Sequence, residues 1–64
     1  MPKKVREVIA EIEADGWRFD RQRGRHRQFV HPTKPGSVTV NGKEGADMAP
    51  GTYNNIRKQA GLKP

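Results

Sequence analysis

The sequence predicts a single α+β domain in which one helix is followed by three antiparallel strands and a second helix. Three observations support this prediction. Apolar residues recur with helical spacing near both ends of the chain, alternating or β-branched segments occupy the middle, and short glycine- or proline-containing turns separate those segments. Because 64 residues cannot supply two hydrophobic cores, residues 1–64 are expected to form one domain.

Apolar spacing predicts the first helix over residues 3–15 and the second over residues 50–60. The first helix has one apolar stripe, formed by Val5, Val8, Ile9 and Ile12. Gly16 supplies a stop, and Pro50 suits the first turn of the second helix. The weaker stripe of that helix comprises Tyr53, Ile56 and Ala60.

Between the helices, the alternation of side chains predicts strands at residues 17–21, 26–31 and 37–40. Residues 22–25 and 32–36 are predicted to be turns, and residues 41–48 a polar loop. Short connections make consecutive strands antiparallel neighbours. Since each helix has only one apolar stripe, both helices are expected on the same face of the sheet. The opposite face is then open to solvent or to a partner.

Composition excludes several classes of protein. The chain has no cysteine, which rules out a disulfide framework and a cysteine-based zinc site. Two histidines five residues apart, without a carboxylate cluster, do not form a metal site either, so we expect no metal and no small-molecule cofactor. No membrane span or signal peptide is apparent, and we therefore expect a cytoplasmic protein without a membrane partner.

Positive charge is concentrated in the strand region. The net charge is +6, and the segment from Arg18 to Lys34 alone has six basic residues against one acidic residue. Five of those six bases are arginine, whose planar guanidinium matches phosphate oxygens better than the ammonium of lysine does. A solvated strand face is the simpler explanation, but this density in so small a domain favours a nucleic-acid partner.

His26 is the candidate catalytic residue on the sheet face that the helices leave uncovered. Strand alternation separates His26 from Phe29, so if Phe29 enters the core, His26 points outward. The same alternation turns Arg27 and His31 inward, unless the strand edge or a bulge accommodates them. An exposed imidazole near arginines suits RNA cleavage, because it can accept the proton of a ribose 2′-hydroxyl. Taken alone, such a histidine is more often an ordinary surface residue. Trp17 is expected in the core.

An ordered series of motifs runs along the chain from about Val5 to Leu62. It comprises Asp15-Gly16-Trp17, residues 21–29, His31-Pro32, residues 38–40, residues 47–52, Ile56 and residues 59–62. This series resembles the HicA toxin family. The resemblance implies a double-stranded-RNA-binding-domain-like fold and the activity of an mRNA interferase in a bacterial type II toxin–antitoxin module. It also implies a HicB-like antitoxin as protein partner and mRNA as substrate.

The family's active histidine lies in a glycine-serine-histidine motif, which corresponds here to Gly24, Arg25 and His26. The resulting hypothesis is a metal-independent endoribonuclease with His26 as catalytic residue. The expected RNA-binding residues are Arg21, Arg23, Gly24, Arg25, Arg27 and Lys34. Arg25 replaces the family's serine, so catalysis is weakened if that hydroxyl assists it, whereas a phosphate contact is gained if the position only shapes the turn.

The sequence is also compatible with two alternative functions. One is a non-catalytic RNA-binding domain or a toxin relative that has lost its activity, and it predicts RNA binding without His26-dependent cleavage. The other is a protein-interaction domain whose basic face docks on an acidic partner. That alternative predicts little affinity for RNA at physiological salt.

Overall fold

A computed structural model describes residues 3–62 of the chain. Its elements are β1 (Lys3–Lys4), α1 (Val5–Ala14), β2 (Arg18–Arg23), β3 (His26–Val30), β4 (Ser37–Asn41), β5 (Asp47–Met48) and α2 (Pro50–Gln59). Strands β2, β3 and β4 form one antiparallel sheet in that order. The predicted α+β order of a helix, three antiparallel strands and a helix is therefore confirmed. In residues 3–62, no helix is long and apolar enough to cross a membrane.

The core lies between one face of this sheet and both helices. Its buried members are Val5, Val8, Ile12, Trp17, Phe29, Val38, Val40, Met48, Ile56 and Ala60. The sheet contributes three of these side chains, Phe29, Val38 and Val40, and the register places Phe29 opposite Val38. Because side chains alternate along a strand, the intervening residues of β3 and β4 point away from the helices. We call that opposite side of the β2-β3-β4 sheet the open face.

The start of α1 differs from the prediction. Lys3 and Lys4 form a short strand that pairs antiparallel with Met48 and Asp47, so the helix begins at Val5 and the predicted loop ends in β5. The Val5 amide donates a hydrogen bond to the Ala46 carbonyl at 2.9 Å. The predictions of helix from residue 3 and of loop through residue 48 were wrong here. This pairing joins segments that are distant in sequence, so local periodicity contains no signal for it.

The hairpin between β2 and β3 is tighter than predicted. Strand β2 continues to Arg23, which lies opposite His26, and only Gly24 and Arg25 form the turn. Gly24 has φ of +56°, whereas no residue other than glycine in the described chain has a positive φ. Positive φ at the first of two turn residues is the pattern of a type II′ hairpin, which requires glycine there. Gly24 thus sets the turn that ends beside His26.

The C-terminal ends of both helices meet at the side chains of Trp17 and Lys34. Trp17 is buried, as predicted, and its indole N–H donates to the Ala60 carbonyl at 3.2 Å. The Lys34 ammonium donates to the same carbonyl at 3.1 Å and to the Asp15 carboxylate at 2.5 Å. Asp15 and Ala60 are the C-cap residues of α1 and α2, where a cation interacts favourably with the helix dipole.

Candidate nucleic-acid interface on the open face of the sheet

Strand register arranges the open face as three cross-strand rows. We name each row after its central β3 residue: the histidine row (Arg23, His26, Asn41), the glutamine row (Arg21, Gln28, Thr39) and the valine row (Arg18, Val30, Ser37). In every row the arginine lies on β2, one of the two edge strands, and the residue on β4, the other edge strand, is neutral and polar. The face therefore has a positive side and a neutral hydrogen-bonding side, with β3 between them.

A β-bulge at Asp20 keeps the arginines on this face. Phe19 pairs with Phe29 and Arg21 pairs with Gln28, so Asp20 is the extra residue between the two pairs. In a regular strand, Phe19 and Arg21 would point to the same side. The bulge absorbs one residue, so Phe19 points to the helix side with Phe29 while Arg21 and Arg23 point to the open face.

A depression of about 360 Å³ lies on this face, lined by Arg21, Arg23, His26, Gln28 and Thr39. His26 is exposed, and within residues 3–62 its imidazole has no hydrogen-bond partner. Arg23, directly opposite on β2, likewise has no ion pair among the described residues. The guanidinium of Arg21 has one exposed contact, from Nε to Asp20 Oδ2 at 3.3 Å. The imidazole and two guanidinium groups are thus accessible together.

Two other arginines of the predicted set have different positions. Arg25 is exposed in the turn, next to the histidine row, and within residues 3–62 its guanidinium has no partner. Arg27 points to the helix side, where its guanidinium donates to the Gly42 carbonyl at 3.0 Å and lies 3.9 Å from Glu44. Its side chain is only 17% exposed. Arg27 therefore does point to the helix side, as strand alternation requires, and its charge is accommodated there at the end of the hairpin by the Gly42 carbonyl and Glu44.

Lys34 lies away from the residues of the open face. Its ammonium is held between the helix C-termini by Asp15 and by the Ala60 carbonyl, on the helix side of the sheet. This ammonium, through its hydrogen bond and its charge, lowers the pKa of Asp15 below the usual value. The pair is half-buried, and it stabilises the fold with both partners ionised.

With this geometry established, comparison with known proteins assigns the family. A family model described as the HicA toxin of bacterial toxin–antitoxin systems matches residues 5–62. That match covers nearly all of the 64 residues. The chain belongs to the HicA toxin family. It is accordingly the toxin of a toxin–antitoxin system, which implies a paired antitoxin. No curated protein matches the sequence.

The two histidines of this HicA-family toxin have separate surroundings. His31 lies just beyond β3, and its Nε2–H donates to the Asp15 carbonyl at 2.8 Å. Its Nδ1 accepts the backbone N–H of Thr33 and of Lys34, both at 3.1 Å. These bonds occupy both ring nitrogens in keeping with a structural role, whereas His26 is on the open face. Within residues 3–62, no three histidine, cysteine, aspartate or glutamate side chains lie together as a metal site.

Sequence reasoning missed two residues that line the depression, Gln28 and Thr39. The available signal was alternation: Gln28 has the parity of His26, and Thr39 lies between two valines that enter the core. Both side chains are half-buried in the depression, and within the described chain neither side-chain polar group has a hydrogen-bond partner. They add neutral donors and acceptors beside the cations.

Proposed function

We propose that this HicA-family toxin is a metal-independent endoribonuclease that cleaves mRNA in the bacterial cytoplasm, with His26 as its catalytic residue. One observation carries the proposal: the imidazole of His26, which has no hydrogen-bond partner within residues 3–62, lies in the same depression as the guanidinium groups of Arg21 and Arg23. A proton acceptor and cations side by side suit the cleavage of a phosphodiester that has a neighbouring 2′-hydroxyl.

In the proposed reaction, the ribose 2′-oxygen attacks the adjacent phosphorus while neutral His26 takes the hydroxyl proton. The bond from phosphorus to the 5′-oxygen of the next nucleotide breaks, which gives a 2′,3′-cyclic phosphate and a 5′-hydroxyl. Solvent protonates the departing oxygen, and the imidazolium then returns its proton to solvent, so atoms and charge balance. A positioned general base of this kind contributes about 10²- to 10⁴-fold to the rate.

The arginines stabilise the charge that develops on the phosphate oxygens. Arg23 lies opposite His26 in the register, so a phosphate above the histidine row is within reach of both side chains. Arg21 and the turn residue Arg25 flank that position and hold the neighbouring backbone. Guanidinium groups suit this task because their donors form two parallel bonds to phosphate oxygens. Gly24 contributes through the turn that places Arg23 opposite His26.

The open face is also the surface at which the paired antitoxin is expected to inhibit the toxin. We propose that a HicB-like antitoxin covers the open face, because burial of His26 or of its arginines excludes RNA. An interface of this kind is expected to place acidic groups opposite Arg21 and Arg23, since charge complementarity accelerates association. A complex that leaves the whole open face accessible contradicts this part of the proposal.

The decisive test is RNA cleavage by the purified chain beside His26→Ala, both with excess chelator. The parent is expected to cleave, and the variant to lose at least about 10²-fold in rate. Asn54→Ala, at an exposed position on α2, is the matched control for a surface substitution and should cleave normally. Circular dichroism verifies that each variant is folded. A parent whose cleavage needs added metal, or a fully active His26→Ala, contradicts the mechanism.

A non-catalytic RNA-binding domain is the second candidate function. It is favoured by Arg25, which occupies the serine position of the motif and adds an exposed cation beside His26. This candidate predicts that parent and His26→Ala bind RNA equally and that neither cleaves it. A protein-interaction domain instead predicts negligible RNA affinity at physiological salt.

A further inference from the structure

We propose that the glutamine row is a nucleotide-binding subsite that selects the nucleotide beside the one cleaved at the histidine row. Arg21 holds its phosphate, and Gln28 and Thr39 bind its base edge or ribose hydroxyl. The inference rests on the proposed ribonuclease function, because it assigns His26 to the reaction and the glutamine row to specificity. Gln28 and Thr39 are positioning residues in this scheme, since neither reaches the atoms that react.

The histidine row and the glutamine row repeat one pattern. Each presents an arginine on β2, a hydrogen-bonding side chain on β3 and a neutral polar side chain on β4. The rows are two residues apart along the strands, which corresponds to about 7 Å. Neighbouring columns are about 4.8 Å apart. An RNA backbone that follows the arginine column therefore places its sugars and bases above β3 and β4, so that adjacent nucleotides meet adjacent rows.

Gln28 and Thr39 have hydrogen-bonding groups available for a ligand. Both line the depression and are half-buried, yet within residues 3–62 the Gln28 amide and the Thr39 hydroxyl have no hydrogen-bond partners. An amide and a hydroxyl each offer a donor and an acceptor. Polar groups that are partly removed from water without partners gain most from a ligand that supplies them. A nucleobase edge or a 2′-hydroxyl supplies both kinds of partner.

The positions of the four aromatic side chains restrict how the subsite can recognise a nucleotide. Trp17 and Phe29 are buried in the core, and Phe19 packs against Phe29 on the helix side. Tyr53 lies between the helices, where its hydroxyl donates to Glu11 at 2.6 Å. All four are thus occupied away from the open face. The subsite therefore distinguishes nucleotides by hydrogen bonds and not by stacking on aromatic rings.

The valine row marks the end of the subsite and provides a control. Its central residue, Val30, is apolar and 40% exposed, so this row offers no hydrogen-bonding group on β3. Ser37 occupies the same column as Thr39, two residues away on β4. Ser37→Ala therefore removes a hydroxyl from the same strand and the same face as Thr39→Val does, but at a position outside the proposed subsite.

The experiment compares Thr39→Val and Gln28→Ala with Ser37→Ala in cleavage of a mixed-sequence RNA pool, with product ends mapped by sequencing. For each of the first two variants we expect KM to rise about two- to tenfold, the effect of one lost hydrogen bond, while kcat changes less than about twofold. The preference for the nucleotide beside the cut should also weaken. Ser37→Ala should match the parent in KM, kcat and cut-site distribution.

A binding measurement separates failure of the subsite from failure of the ribonuclease proposal. The same substitutions are placed in His26→Ala, and affinity is measured for a ten-nucleotide RNA. Weaker binding with Thr39→Val and Gln28→Ala, but not with Ser37→Ala, supports the subsite even if the parent does not cleave. His26-dependent cleavage with unchanged KM, cut sites and binding overturns the subsite and leaves the ribonuclease intact. Equal losses in all three variants also overturn it.

Discussion

Phe19 lies directly opposite Phe29 in the β2–β3 pair, and their rings meet edge to face with centroids 6.0 Å apart. Phe29, on the central strand, is 1% exposed, whereas Phe19, on one of the two edge strands, is 53% exposed. The contact depends on the bulge, since only the extra residue Asp20 allows Phe19 to reach the helix side while Arg21 stays on the open face. The bulge at Asp20 thus determines both the contact of Phe19 with the core residue Phe29 and the presence of Arg21 on the open face.

Of two single-residue deletions in β2, only one should weaken RNA binding. Deletion of Asp20 regularises the ladder and leaves Phe19 opposite Phe29 and Arg21 opposite Gln28. Deletion of Gln22 also permits a regular ladder, but it places Asp20 opposite Gln28 and turns Arg21 to the helix side. We expect the first variant to bind RNA like the parent and the second to bind several-fold more weakly, as measured by fluorescence anisotropy. Equal affinities for both contradict the proposed role of the bulge.

The salt dependence of RNA binding should report which arginines contact phosphate. If Arg21, Arg23 and Arg25 each neutralise one phosphate of a single strand, the slope of log affinity against log salt is about −2. Arg23→Gln should reduce its magnitude by about 0.7. Arg27→Gln removes the same charge from the helix side and should leave the slope unchanged. A slope near zero, or identical changes for the two variants, contradicts this assignment.

Stability should depend on pH through the Asp15–Lys34 pair. The Lys34 ammonium lowers the pKa of Asp15 in the folded chain, so the folded state favours the ionised carboxyl more than the unfolded state does. The resulting stabilisation is present above the unfolded value of about 3.9 and is lost as pH falls through the lower folded value. In thermal unfolding, Asp15→Asn should therefore melt below the parent at pH 7, and the difference should shrink below about pH 4.

The control for that experiment is Asp20→Asn, which removes a carboxylate whose one ion-pair partner among residues 3–62 is its exposed neighbour Arg21. This variant should melt close to the parent at pH 7. A melting difference between Asp15→Asn and the parent that is constant from pH 7 to pH 3 is the result that contradicts the prediction.

Trp17 and Lys34 should be energetically coupled because both donate to the Ala60 carbonyl. Counting donors within residues 3–62, loss of either one leaves the carbonyl one partner, whereas loss of both leaves a buried acceptor unpaired. In a cycle of Trp17→Phe and Lys34→Met, the double variant should lose more free energy of unfolding than the two single variants together, by about 0.5–3 kcal/mol. Urea unfolding measures each term, and strict additivity contradicts the shared role.

Local patterns in the sequence predicted most of the fold. The apolar stripe of α1 and the alternation around Val38 and Val40 arise from residues a few positions apart, and the structure buries these side chains as expected. The β1–β5 pair was not predictable in this way, because neither two-residue segment has a periodicity of its own. Pairing at that length is stabilised by the surrounding fold and not by local preference.

For the site, the sequence by itself determined which residues were available: a histidine next to a glycine turn, inside a dense run of arginines. Only the tertiary structure decided which of them act together. Backbone pairing and the bulge at Asp20 direct Arg21 and Arg23 to the face of His26, while Arg27 and Lys34 are held by partners on the helix side. The physical reason is that a charged side chain is free for a ligand only if the fold supplies no internal partner for it. The partners of Arg27 and Lys34 are the Gly42 and Ala60 carbonyls and the Asp15 carboxylate, and all of them are distant in sequence from the residue that they hold.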